Sequence, residues 1–172
     1  MQIELLRRKS FVVFLSFFSW VTALHAQSGT LTGNVSTSVV HYTIDPKDSA
    51  DIFAVLDSFI VNFRQPLAEY LPRHLKTYLF PHVRIASGQI SVIPNADSMP
   101  LSYWQKRMPA DWDHSEWVSR TIVQASPVKV HLVNVFRRFR KDNSVIADET
   151  SLYIMEKVNG KWGVRGRSSF AK

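Results

Sequence analysis

The chain has 172 residues, with 21 Lys+Arg against 14 Asp+Glu and no cysteine. That length suits one domain with a sizeable core, and the missing thiol excludes disulfides, thiol catalysis and thiolate metal sites. The basic excess is spread along the chain, not gathered into the stripe that nucleic acid requires, so no nucleic-acid partner is expected.

Arg7, Arg8 and Lys9 precede an apolar run from Phe11 to Leu24, and Ala23-Leu24-His25-Ala26 leads into Gln27. A positive start, a short apolar stretch and a small closing residue predict a signal peptide over 1–26 and export to the periplasm or cell exterior. The run is shorter than the roughly 20 apolar residues a spanning helix needs, so no stable membrane insertion is expected after signal removal. An uncleaved anchor is the alternative reading. Residues 27–44, rich in Ser, Thr and Gly, read as a flexible lead-in to a domain over 45–172.

Asp45 suits an N-cap, Pro46 the first helical position and Asp48 the first turn. Ile52, Phe53, Leu56, Phe59, Ile60 and Phe63 then recur at helical spacing. Pro66–Leu71 and Arg73–Leu79 read as two short helices parted by Pro72. From Pro81 the period changes to two. A hairpin is expected around Ser87-Gly88, then a connector with a short helix carrying Tyr103 and Trp104. Strand-like runs follow at 115–125, 128–140, 145–158 and 161–170, joined at Ser126-Pro127, Asp142-Asn143 and Asn159-Gly160. Helices first and an antiparallel meander afterwards predict an α+β domain.

With a two-residue turn at each junction, strand register sorts the sheet into two faces. One carries Trp117, Val130, Leu132, Phe136, Tyr153, Met155, Trp162, Val164 and Phe170 and should pack. The other carries the rows Arg120–Val133–Leu152–Arg167, Ile122–His131–Ile154–Arg165 and Glu116–Arg137–Asp148. Arg120, Arg165 and Arg167 around an apolar floor suit a carboxylate or other anion, because a guanidinium fork grips it bidentately and stays charged. The alternative is that these arginines reach solvent or pair with Glu156 and Glu116. A one-residue bulge would move residues to the other face.

His131, mid-strand among Ile122 and Ile154, is one candidate acid–base group, and the loop pair Asp113 and His114 is another. No second histidine stands at ligand spacing, so no metal is expected, and nothing in the chain calls for a cofactor.

The pattern resembles the nuclear transport factor 2-like superfamily, which includes SnoaL-like domains. The resemblance rests on a long first helix, the broken second ending Tyr78-Leu79-Phe80-Pro81, the hairpin Arg84-Ile85-Ala86-Ser87-Gly88, and the closing run Asn159-Gly160-Lys161-Trp162-Gly163-Val164-Arg165. Asp148-Glu149-Thr150-Ser151 and the last strand also resemble the association domain of calcium/calmodulin-dependent kinases. The resemblance implies a cone-shaped fold, with N-terminal helices packed on a strongly curved, mostly antiparallel sheet that encloses a pocket. It implies a homodimer through a sheet face, and Arg167 facing the pocket together with Arg120, His131 and Arg165. Arg84 would belong to the cavity wall, and Tyr103 and Trp104 would cap its mouth. Fold alone selects no reaction. Three readings stay open: an exported pocket protein for a small anionic organic molecule, a cofactor-independent isomerase or dehydratase, and a dimerisation or assembly module.

Overall fold

The computed structural model describes residues 42–170. The signal over 1–26 and nearly all of the lead-in over 27–44 lie outside the described residues. Among the described residues, no helix is long and apolar enough to cross a membrane.

Helix α1 spans Pro46–Val61. The Asp45 carboxylate accepts from the Lys47 backbone N–H at 2.8 Å, as an N-cap should. Ile52, Leu56, Phe59 and Ile60 form its buried stripe, and Phe63 extends it beyond the helix end. Helix α2 spans Leu67–Leu75. The expected break at Pro72 is absent: the proline sits on the exposed side of one continuous helix, where it forgoes only the bond to the Ala68 carbonyl. The second piece expected over 73–79 ends early. Thr77 Oγ1 donates to the His74 carbonyl at 2.7 Å, and the chain becomes strand at Tyr78, so Tyr78 and Leu79 are not helical.

The strands are β1 (Tyr78–Ala86), β2 (Gln89–Ile93), β3 (His114–Ala125), β4 (Lys129–Phe139), β5 (Val145–Val158) and β6 (Lys161–Ser169), with a short helix α3 at Leu101–Gln105. They form one six-stranded sheet in the order β2-β1-β6-β5-β4-β3, antiparallel except where β1 meets β6. This is the expected α+β arrangement, with the helices on one face. Ser87-Gly88 and Asn159-Gly160 both turn through positive φ, the conformation that matches the twist of a two-residue hairpin.

Register decides which side chains share a face. β4 and β5 pair as expected, with Arg137 opposite Asp148, Val133 opposite Leu152 and His131 opposite Ile154. The Arg137 guanidinium grips Asp148 through two bonds of 2.7 and 2.8 Å. β6 starts as expected at Val158–Lys161 and then slips: Met155 faces Val164 but Ile154 faces Gly166. Arg165 is the extra residue of a bulge, and every residue after it changes face. Arg167 therefore stands opposite Tyr153 on the helix-facing side, not opposite Leu152. The same slip turns Phe170 out of the packed face, where it is exposed. Two slips in β3 place Arg120 opposite Asn134 and Ile122 opposite Leu132, in place of Val133 and His131.

The packed face carries Val130, Leu132, Phe136, Tyr153, Met155, Trp162 and Val164, all buried under α1 and α2. β1 lies so close to β6 that a Cβ built on Gly163 would fall 2.7 Å from Leu79 Cγ. Gly163→Ala should therefore cost about 1–3 kcal/mol through overpacking. Urea unfolding of the variant checks this, and a loss under about 0.5 kcal/mol would mean that β1 yields freely.

Candidate functional site

One cavity of about 490 Å³ opens on the helix-facing side of the sheet. β1 supplies Arg84 and Ala86, β4 supplies Arg138, β6 supplies Arg167, and the α3 segment supplies Tyr103, Trp104, Lys106, Arg107 and Met108. Strand parity explains the wall: Arg84 pairs with Arg167 across the parallel β1–β6 junction, and Tyr153 lies next along the same row. Arg138 follows Val130, Leu132, Asn134 and Phe136 at alternate positions of β4, so it must point the same way.

Arg167 and Arg107 are held by rings and neutral oxygens, and Arg138 by a carboxylate. The Arg167 guanidinium carbon lies 5.2 Å from the Phe136 ring centroid and 5.5 Å from that of Tyr153, and its Nη2 donates to Ser169 Oγ at 3.2 Å. Arg107 stacks on Tyr103 at 3.6 Å and donates to the Tyr103 carbonyl at 2.8 Å. Arg138 is buried and meets Glu149 at 3.4 Å. Burial lowers the Arg84 pKa, and the nearby charges of Arg167 and Arg107 lower it further. Burial does the same to Arg138, with Arg167 adding to it, although Glu149 opposes the shift. Both remain cationic at neutral pH. Burial raises the Tyr153 pKa, so its hydroxyl stays protonated.

Among the described residues, Trp104 Nε1, Arg138 Nε, Arg167 Nε, the Asn134 amide and the Tyr153 hydroxyl are buried polar groups without a hydrogen-bond partner.

No family model matches the sequence, and no curated protein is similar to it. Solved structures are similar in shape. A Nostoc punctiforme protein of unknown function with a cystatin-like fold matches at TM-score 0.62 and 11% identity, over 76% of this chain and 96% of its own. A nuclear transport factor 2-like protein of unknown function from Pseudomonas putida matches at 0.61 and 12%, over 76% and 90%. A ketosteroid isomerase-like protein from Erwinia carotovora atroseptica matches at 0.51 and 18%, over 73% and 97%. The chain has the nuclear transport factor 2-like fold.

Within this fold, the residues singled out from the sequence separate. Arg84, Arg167, Tyr103 and Trp104 line the cavity together. Arg165, the bulge residue, instead binds Glu156 at 2.8 Å and donates to the Phe80 and Pro81 carbonyls at 2.7 and 3.2 Å. Arg120 shares the helix-facing side but is engaged by Asp57 of α1. His131 lies on the opposite face, in a shallow depression with Gln124, Ser126 and Lys129. The expectation that Arg167 would share a face with His131 and Arg165 therefore fails, because it assumed a regular β6.

Asp113 and His114 do come together, with Oδ2 and Nδ1 2.9 Å apart and the imidazole stacked on Phe139. His114 borders a side groove with Arg64, Glu116 and Trp117, separate from the cationic cavity. Among the described residues, no group of three or more His, Asp or Glu side chains gathers as a metal site.

Lys106, Arg107 and Arg138 line the cavity without having been singled out. Only Arg138 left a usable signal, its parity with Phe136. Lys106 and Arg107 follow a helix of a single turn, and sequence alone does not set where such a helix lies.

Proposed function

We propose that this protein is an exported pocket protein that binds a small anionic organic molecule in the cavity lined by Arg84, Arg138 and Arg167. One observation carries the reading. Among the described residues, Arg84, Lys106, Arg107 and Arg167 have no carboxylate within ion-pair distance, whereas Arg120, Arg137, Arg140 and Arg165 each do. Like charges held together at the edge of a core repel, and an anion in their midst relieves that repulsion. Binding is favoured over isomerase-type chemistry because, among the described residues, the lining of this cavity is arginine-rich and holds no carboxylate to serve as a base. Export through residues 1–26 is part of the proposal. A second copy docked on the sheet's outer face would leave the cavity accessible, since it opens on the other side.

The test is a panel of small carboxylates followed by thermal shift and calorimetry at low ionic strength, where charge pairing is least screened. At least one should raise the melting temperature. Arg167→Met should then weaken its binding by about 10- to 100-fold, the usual loss when a charge-assisted hydrogen bond is removed. A panel with no effect on the melting temperature would sink the reading.

A further inference from the structure

The cavity's charge is arranged on two levels. Arg84, Arg138 and Arg167 form the inner level: Arg138 is buried and the other two are half-buried, and Arg167 lowers the pKa of both Arg84 and Arg138. Lys106 and Arg107 form the outer level, exposed at the end of α3. Arg107 is not a loosely dangling side chain. Its stacking on Tyr103 at 3.6 Å and its 2.8 Å bond to the Tyr103 carbonyl pin it beside the opening. The lining also includes the uncharged Phe63, Tyr103, Trp104 and Met108.

Two carboxylate oxygens shared among three inner guanidinium groups have little left for Lys106 and Arg107, which have no carboxylate partner among the described residues. A single carboxylate would also fill only a small part of about 490 Å³, a volume in the range that holds whole organic ligands. Glu149 compensates only Arg138. Resting on the anion-binding reading above, we infer that the ligand carries two separated anionic groups, a dicarboxylate, with one carboxylate among Arg84, Arg138 and Arg167 and the other at Lys106 and Arg107. The apolar middle of such a ligand lies against Phe63, Tyr103 and Trp104. The outer pair is then a second subsite that selects the ligand's length and charge.

Calorimetry at low salt compares succinate, glutarate and adipate with pentanoate, which has one carboxylate on a similar chain, and with inorganic phosphate, which puts its charge in one place. At least one dicarboxylate should bind about two- to fivefold more tightly than pentanoate, the gain expected from one additional exposed charge pair. Lys106→Gln with Arg107→Gln, both at exposed positions, should bring that ratio close to one. Equal binding of pentanoate and every dicarboxylate would overturn the two-group inference and leave the binding reading standing. Phosphate binding as tightly as the best dicarboxylate would also overturn it, since one compact dianion would then suffice. A persistent dicarboxylate preference in the double variant would remove Lys106 and Arg107 from the subsite. If none of these anions binds, the binding reading falls as well.

Discussion

Phe59→Ala should remove about 3–5 kcal/mol of folding stability, the range for deleting a fully buried aromatic side chain. Phe59 is 2% exposed and stands where four elements meet. Its ring lies 4.4 Å from His74 of α2, 5.6 Å from Tyr78 of β1, 6.2 Å from Trp117 of β3 and 5.6 Å from Tyr153 of β5. Neighbours held by that many separate elements cannot all collapse into the space left behind, so the cavity penalty adds to the lost burial. Small domains hold only about 5–15 kcal/mol in total, so this one side chain accounts for a large share. Chemical denaturation at neutral pH measures the loss, and a cost under about 1 kcal/mol would contradict this account of the core.

The second large effect is acid destabilisation between pH 7 and 5. His74 is fully buried, with Nδ1 2.9 Å from the Phe59 carbonyl and Nε2 3.1 Å from the Tyr78 hydroxyl. Nδ1 must donate to a carbonyl, so Nε2 accepts from Tyr78 and the ring is neutral. Burial pushes its pKa down to about 3. His82 is buried as well, and burial pushes it down to about 4, with Arg167, Arg84 and Arg165 adding to the shift. In the unfolded chain both titrate near 6.5. Below that pH the unfolded state takes up protons that the native state refuses. The stability these histidines confer is therefore full above pH 6.5 and is lost as pH falls toward 3–4. Between pH 7 and 5 each should contribute a loss of about 2 kcal/mol. The paired carboxylates Asp48 and Asp148, whose pKa values are lowered by Lys157 and Arg137, add their own loss only at lower pH. Urea unfolding at the two pH values reads the sum, and His74→Gln should remove about half of the difference. Equal wild-type stability at pH 7 and 5 would refute the burial argument.

Much of the fold was legible because local chemistry announced it. Asp45-Pro46, the helical spacing from Ile52 to Phe63 and the turn at Asn159-Gly160 each satisfy a backbone requirement within a few residues. Pro72 misled for the opposite reason: whether a helix tolerates proline depends on what holds its ends, here His74 and Thr77. The bulges in β3 and β6 left no trace in the residue types, because an unpaired residue such as Arg165 looks like any other strand residue until its partner strand is known. The site was legible to the same degree. Arg84, Arg167, Tyr103 and Trp104 were singled out and meet at the cavity. Arg165 and His131 were grouped with them by a regular alternation that the sheet does not keep, and Arg120, on the same side as Arg167, is taken up by Asp57 of α1.

The bulge in β6 sends two arginines, two positions apart, to opposite faces, and so gives them different tasks in the structure. Arg165 braces the bowed part of β1 through the Phe80 and Pro81 carbonyls, which no change of ligand alters. Arg167 lines the cavity. Loss of Arg165 would loosen the join between β1 and β6, whereas loss of Arg167 would change the charge of the cavity and leave that join in place.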